Sequence, residues 1–225
     1  MTESTNPLLF ITSLLEKNRD AKRAVGMEAY MKNNFTCLGI DSPTRKLLVQ
    51  QFHQKLNIKK LNRDLVSSLW ILPDREYQYV AMDHLKKFTK QLKAEDISWI
   101  ETLITTKSWW DTVDFLAVHP VGFICKNNPH IITQRVEKWI NSDNIWLIRT
   151  AILFQLKFKE KLDFNLVQKY ILLHDKSKEF FINKASGWIL REYAKTNPFE
   201  VIQFVDANPQ LSNLTKREAL KHQNK

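Results

Sequence analysis

Glycine is scarce. Four glycines, Gly26, Gly39, Gly122 and Gly187, serve 225 residues, which argues against a turn-rich β architecture and against glycine-rich phosphate loops. Cysteine is scarcer still. Cys37 and Cys125 form no CxxC pair and suggest no disulfide framework, as expected of a chain in the reducing cytoplasm. The histidines His53, His84, His119, His130, His174 and His222 show no HxxxH or HxH spacing, so neither a metal nor another cofactor is expected. Cys125, near His119 and His130, reads as a buried apolar cysteine. No GxSxG or Walker-type loop occurs. Long hydrophobic runs are missing too. The apolar run in MTESTNPLLFITSLLEKNRD is too short to span a bilayer, and the N-terminus lacks the basic start of a signal peptide. No segment joins a long apolar face to a Lys-rich one, so no membrane partner is expected.

What is present is positive charge. Lys and Arg outnumber Asp and Glu by 34 to 24, for a net charge of +10 and a pI of about 9.5. Such a balance is the footprint of a polyanion binder, with solubility alone as the bland alternative. Hydrophobic content of 44% and charged content of 26% suit a folded chain. The length suits one domain over 1–225 with a sizeable core, disordered only after Lys221.

Apolar spacing is helical almost throughout, and no alternating strand is found. In DNIWLIRTAILFQLKF (143–158) apolar residues recur three and four apart after Asp143, a capping candidate. DSPTRKLL (41–48) reads as a helix start with Ser42 as N-cap and Pro43 at the first helical position, and KTNPFEVIQFV (195–205) repeats the device with Asn197 and Pro198. Ser108 and Asp111 resemble a capping box. A step of 35 residues aligns 75–88, 110–123, 145–158 and 180–193, within the range of two-helix solenoid repeats. One column of this alignment is Phe88, Phe123, Phe158 and Tyr193, expected as core between repeats. Another is Tyr79, Asp114, Arg149 and Lys184, expected on one surface, where basic side chains from successive repeats could converge on a phosphate backbone if the array curves.

SWWDTVD (108–114) concentrates the chemistry. Tryptophans at helical spacing are core more often than ligand platforms, and Trp70, Trp99, Trp109, Trp139 and Trp146 take that reading. Trp110 differs because it shares a helix face with Asp114. Asp114 lies inside a helix, where aspartate has poor propensity and no capping role. Arg149 sits in the next repeat among Leu147, Ile148, Ala151 and Ile152. The two form either a structural ion pair or part of a functional site.

Five segments, YMKNNFTCLGIDSPTRK (30–46), LWILPDREYQYVAMDHL (69–85), TKSWWDTVD (106–114), SDNIWLIRTAILFQLK (142–157) and SKEFFINKASGWILREYAKTNP (177–198), resemble in order the AlkD family of bacterial alkylpurine DNA glycosylases. The resemblance implies an all-α fold, a curved α-solenoid of HEAT-like two-helix repeats with a basic concave face. It implies hydrolysis of the N-glycosidic bond of N3- and N7-alkylated purines, with no cofactor, no strand cleavage and no tight base pocket. The catalytic aspartate of the family matches Asp114, its two lesion-side tryptophans match Trp110 and Trp188, and its arginine matches Arg149. Tyr30 and Lys46 fit its DNA-facing positions, and Lys184, Arg191 and Lys216 are further groove candidates that would bind phosphate without reading sequence. Arg149 suits holding a phosphate better than acting as an acid. After LGI a neutral polar residue is expected, and Asp41 stands there instead. It either repels phosphate or caps the following helix. The expected partner is duplex DNA containing alkylated bases, bound by a cytoplasmic monomer. The alternatives are a catalytically silent DNA-binding relative and a protein-interaction scaffold.

Overall fold

Helix starts recur at a fixed interval. A computed structural model of the chain describes residues 6–222 and places helices α5 (Arg75–Lys87), α7 (Trp110–Leu116), α10 (Ile145–Leu153) and α12 (Phe180–Tyr193), each beginning 35 residues after the one before. The repeat read from the sequence is therefore a repeat of helices. Among the described residues there is no strand. The stretch 223–225, part of the tail expected to be disordered, lies outside the described residues.

The chain gathers into two compact units, Met1–Gln91 and Leu92–Lys225. In the first, α1 (Pro7–Glu16) packs on α3 (Ser42–Lys55) and α4 (Arg63–Ile71), and α5 packs on both of the latter; α2 (Ala21–Tyr30) precedes them. Its core holds Leu15, Phe52, Leu69, Trp70 and Val80. Glu76, fully buried, accepts hydrogen bonds from the backbone N–H groups of Leu38, Gly39 and Ile40 at 2.8–3.0 Å. That anchors the chain between α2 and α3. Buried His53 and His84 meet at 2.9 Å, and the Asn62 N–H donates to His84 Nε2. His84 Nδ1 must then carry the proton and donate to His53 Nε2.

In the second unit α6 (Ile97–Thr105) leads into α7. A π-helical segment, Ala117–Val121, joins α7 to α8 (Gly122–Asn127), and Pro120 inside it explains the widened turn, since proline brings no N–H to the i→i−4 ladder. The short α9 (Glu137–Ile140) precedes α10. Then come α11 (Phe164–Leu173), α12, α13 (Pro198–Ala207) and α14 (Asn213–Ala219). The helix α10 packs between α7 and α12, and α14 packs tightly along α12. Gly187 permits that approach. A Cβ there would lie 2.5 Å from Glu218 Cβ and 2.8 Å from the Thr215 carbonyl.

Several local expectations shift by one residue. Asp41, not Ser42, is the N-cap of α3, with its carboxylate accepting from the Thr44 N–H at 2.9 Å. It also pairs with Arg23 at 3.1 Å. Asp41 thus caps the following helix, one of its two expected roles. Asn144, not Asp143, caps α10. Asn197 caps α13 as expected. The capping box at Ser108 does not form. Ser108 Oγ donates back to the Ile104 carbonyl at 2.6 Å, and Trp109 is the capping residue of α7. In the aromatic column only Phe88 is buried; Phe123, Phe158 and Tyr193 are half-buried. Tyr193 ends α12, where its hydroxyl reaches Glu200 while its ring stacks on Phe164, so a polar tip holds it at the edge of the core.

Candidate active site

Three helix starts, those of α7, α10 and α12, bring three aromatic rings together. Trp109 lies 5.7 Å from Trp146 and 5.2 Å from Phe181, and Trp146 lies 4.9 Å from Phe181, centroid to centroid. Trp109 and Trp146 are therefore packing residues, as their spacing suggested. Trp109 and Trp146 are half-buried, whereas Trp70 and Trp139 are buried. The edge of this cluster supports the polar pair.

Arg149 on α10 grips Asp114 on α7 with two parallel hydrogen bonds, Nε to Oδ1 at 2.7 Å and Nη2 to Oδ2 at 2.8 Å. Its Nη1 donates to the Phe181 carbonyl on α12 at 2.5 Å. One guanidinium thus ties three successive helix layers. Its side chain is 4% exposed and that of Asp114 is 15% exposed, so the polar column does not lie on open surface as expected. The reason is geometric: the bidentate fork needs the two side chains face to face between helices. Burial pushes the Asp114 carboxyl above its usual range, the Arg149 bonds pull it back, and the neighbouring Asp111 charge adds to the rise. Each carboxylate oxygen still has a lone pair beyond the one Arg149 uses, and the exposed fraction of Asp114 is where another group can reach it.

Trp110 begins α7, four residues before Asp114, and is half-buried. Consecutive helix turns put the two on one face. Lys184, Trp188 and Arg191 form a stripe along α12 at i, i+4 and i+7. Trp188 and Lys184 are half-buried. Lys184 pairs with Glu218 on α14 at 2.7 Å, and Arg191 pairs with the other oxygen of the same carboxylate. Lys216 on α14 donates to the Pro209 carbonyl at 2.5 Å. Tyr30, at the end of α2, is 68% exposed, and Lys46 lies on the exposed side of α3. Those two belong to the first unit, the others to the second.

Two contributors escaped the sequence reading. The Phe181 carbonyl carries no side-chain signal, although Trp146 and Phe181 stand one repeat, 35 residues, apart as an aromatic pair. Glu218 lies beyond the last aligned segment. Among the described residues no group of three or more His, Cys, Asp or Glu is placed to hold a metal ion, and no helix is long and apolar enough to cross a membrane.

An all-α repeat chain with an ion pair bridging successive repeats, and an aromatic cluster at the same three helix starts, is in class a helical-repeat protein with a polar site between its layers. More narrowly, the chain belongs to the DNA alkylation repair enzyme family, whose profile matches residues 11–223. It is similar to a solved structure named as a predicted DNA alkylation repair enzyme from Enterococcus faecalis, with 31% identity and a TM-score of 0.84 over 92% of this chain and 97% of that one. No curated protein matches the chain. Family membership gives the chain a role in DNA repair and makes DNA its substrate.

Proposed function

We propose that the chain is a monofunctional DNA glycosylase that hydrolyses the N-glycosidic bond of cationic N3- and N7-alkylated purines in duplex DNA. The observation that carries this reading is the Asp114 carboxylate, aimed by the two-point grip of Arg149 and left partly exposed on the helix face it shares with Trp110.

The chemistry asks little of an acid. An alkylated purine already carries positive charge, so it leaves with the bonding electron pair and becomes neutral. The barrier lies in the sugar, which gains oxocarbenium character as the bond lengthens. A carboxylate beside that sugar stabilises the growing charge and orients the incoming water, whose oxygen bonds to the sugar carbon while its proton passes to the carboxylate or to solvent. Arg149 restricts Asp114 to one orientation, which lowers the cost of arranging it. The faces of Trp110 and Trp188 favour a cationic nucleotide, by about 0.5–2 kcal/mol per ring depending on desolvation. No Schiff-base lysine is required, so the backbone stays intact. Damage is recognised through charge and lability, without a tight pocket for a flipped base.

The sober alternative treats Asp114–Arg149 as structural and the chain as a catalytically silent DNA binder. Incubation with N7-methylated duplex DNA separates the two. Free 7-methylguanine without strand breaks is the expected result, and no free base at any enzyme concentration overturns the proposal.

A further inference from the structure

Glu218 has no part in the chemistry proposed above. It lies on α14, its side chain 8% exposed, between two cations of α12, Lys184 and Arg191. Those cations bracket Trp188 on one stripe of the helix. They are the more accessible partners, with side chains 37% and 21% exposed. The carboxylate cannot easily leave. Gly187 lets α14 approach so closely that Glu218 Cβ occupies the space of the missing Cβ, and the Thr215 hydroxyl, one turn earlier on α14, donates to the Asn183 carbonyl on α12 at 3.1 Å. The cations, by contrast, sit on long flexible stems that can swing outward.

A carboxylate held by a lysine and an arginine presents to them what a phosphodiester would, two anionic oxygens and one negative charge. We propose that Glu218 is a tethered counter-ion for a phosphate-binding pair made of Lys184 and Arg191. It holds both cations when no DNA is bound, and the cations are traded to a DNA phosphate when the strand reaches Trp188. Glu218 thereby sets how tightly undamaged DNA is held, because every binding event must break its two ion pairs. Glu218 is a positioning residue and touches no reacting atom. The inference rests on the reading of the chain as a DNA-binding enzyme, and deepens it.

The test uses the full chain and undamaged duplex DNA, with binding measured across a salt series. Glu218→Gln is expected to bind several-fold more tightly than wild type with an unchanged slope of log K against log salt, because the same cations meet phosphate in both complexes. Lys184→Gln plus Arg191→Gln is expected to flatten that slope by about 0.9, for the one phosphate that the pair neutralises, and to erase the gain from Glu218→Gln when combined with it. Folding of each variant is checked by its melting transition. Glu218→Gln binding no more tightly than wild type, or the double variant keeping the wild-type slope, overturns the proposal. If Glu218→Gln does not fold, the slope of the double variant decides alone. Base release is scored separately: wild type that binds DNA but frees no methylated base defeats the glycosylase reading and leaves the exchange intact.

Discussion

Arg149 binds both oxygens of Asp114, at 2.7 and 2.8 Å, from a helix that begins 35 residues later. One repeat length thus separates the carboxylate from the cation that holds it. The pair joins repeat geometry to chemistry, and the first two expected outcomes follow from it.

Asp114→Asn keeps the shape of the side chain and removes its charge. Base release from N7-methylated DNA is expected to fall by about 100- to 1000-fold, the usual loss when a group stabilising transition-state charge is removed, while DNA binding persists. An unpaired Arg149 should also lower stability, by on the order of 3 kcal/mol. A melting curve beside single-turnover kinetics separates the two effects. Release at the wild-type rate would show that Asp114 has no catalytic part.

The pH profile should carry the mark of burial. In the proposed reaction the active form of Asp114 is the carboxylate, and burial holds its carboxyl above the ordinary aspartate value. Release must then decline as pH falls through that raised value, at a higher pH than an exposed aspartate would give. Removing the grip with Arg149→Met leaves burial unopposed and should move the acid limb higher still. A limb that moves down in this variant contradicts the assignment.

Trp110→Ala combined with Trp188→Ala should cost more on cationic lesions than on neutral ones, by about 2- to 30-fold per ring. Parallel excision assays with a cationic N7-alkylguanine and a neutral lesion of similar lability measure the difference. Equal losses would leave the rings as simple packing surface.

Gly187→Ala places a methyl group 2.8 Å from the Thr215 carbonyl and 2.5 Å from Glu218 Cβ. Backbone must give way, so α14 is expected to separate from α12 with a stability loss of about 1–3 kcal/mol. Chemical denaturation reads it directly. Because Trp188 is the next residue, activity should fall with stability.

His53 and His84 predict a second pH effect, on folding rather than catalysis. Burial lowers both, to about 4 and about 3. The unfolded chain therefore takes up protons first as pH drops below about 6.5, and the stability of the buried neutral pair, complete above that value, is lost toward pH 4. Between pH 7 and 5 the loss should be on the order of 2 kcal/mol per histidine. Urea titrations at the two pH values test it, and His53→Phe should remove part of the slope.

How much of this was readable beforehand differs from residue to residue. The four helix starts at Arg75, Trp110, Ile145 and Phe180 followed from apolar spacing and a 35-residue step, because helical periodicity is written in side chains. Caps were harder. Asp41 and Asn144 each displaced a polar neighbour that looked as suitable, and Trp109 took the cap position of α7 without a side-chain hydrogen bond, since the choice depends on where the incoming chain is held. The pairing of Asp114 with Arg149 was legible as one of two readings. Its bidentate form and its burial were not.

From sequence alone came the all-α class, the repeat interval, the family resemblance and the identity of the acidic and aromatic residues around Trp110. Each is local or periodic, and local propensity and hydrophobic pattern suffice for them. Tertiary structure alone decided that the Phe181 carbonyl anchors Arg149, that Gly187 admits α14, and that Glu218 takes both Lys184 and Arg191. These contacts depend on how closely two helices approach and on which backbone group faces the gap. Packing sets both, and no residue spacing encodes them.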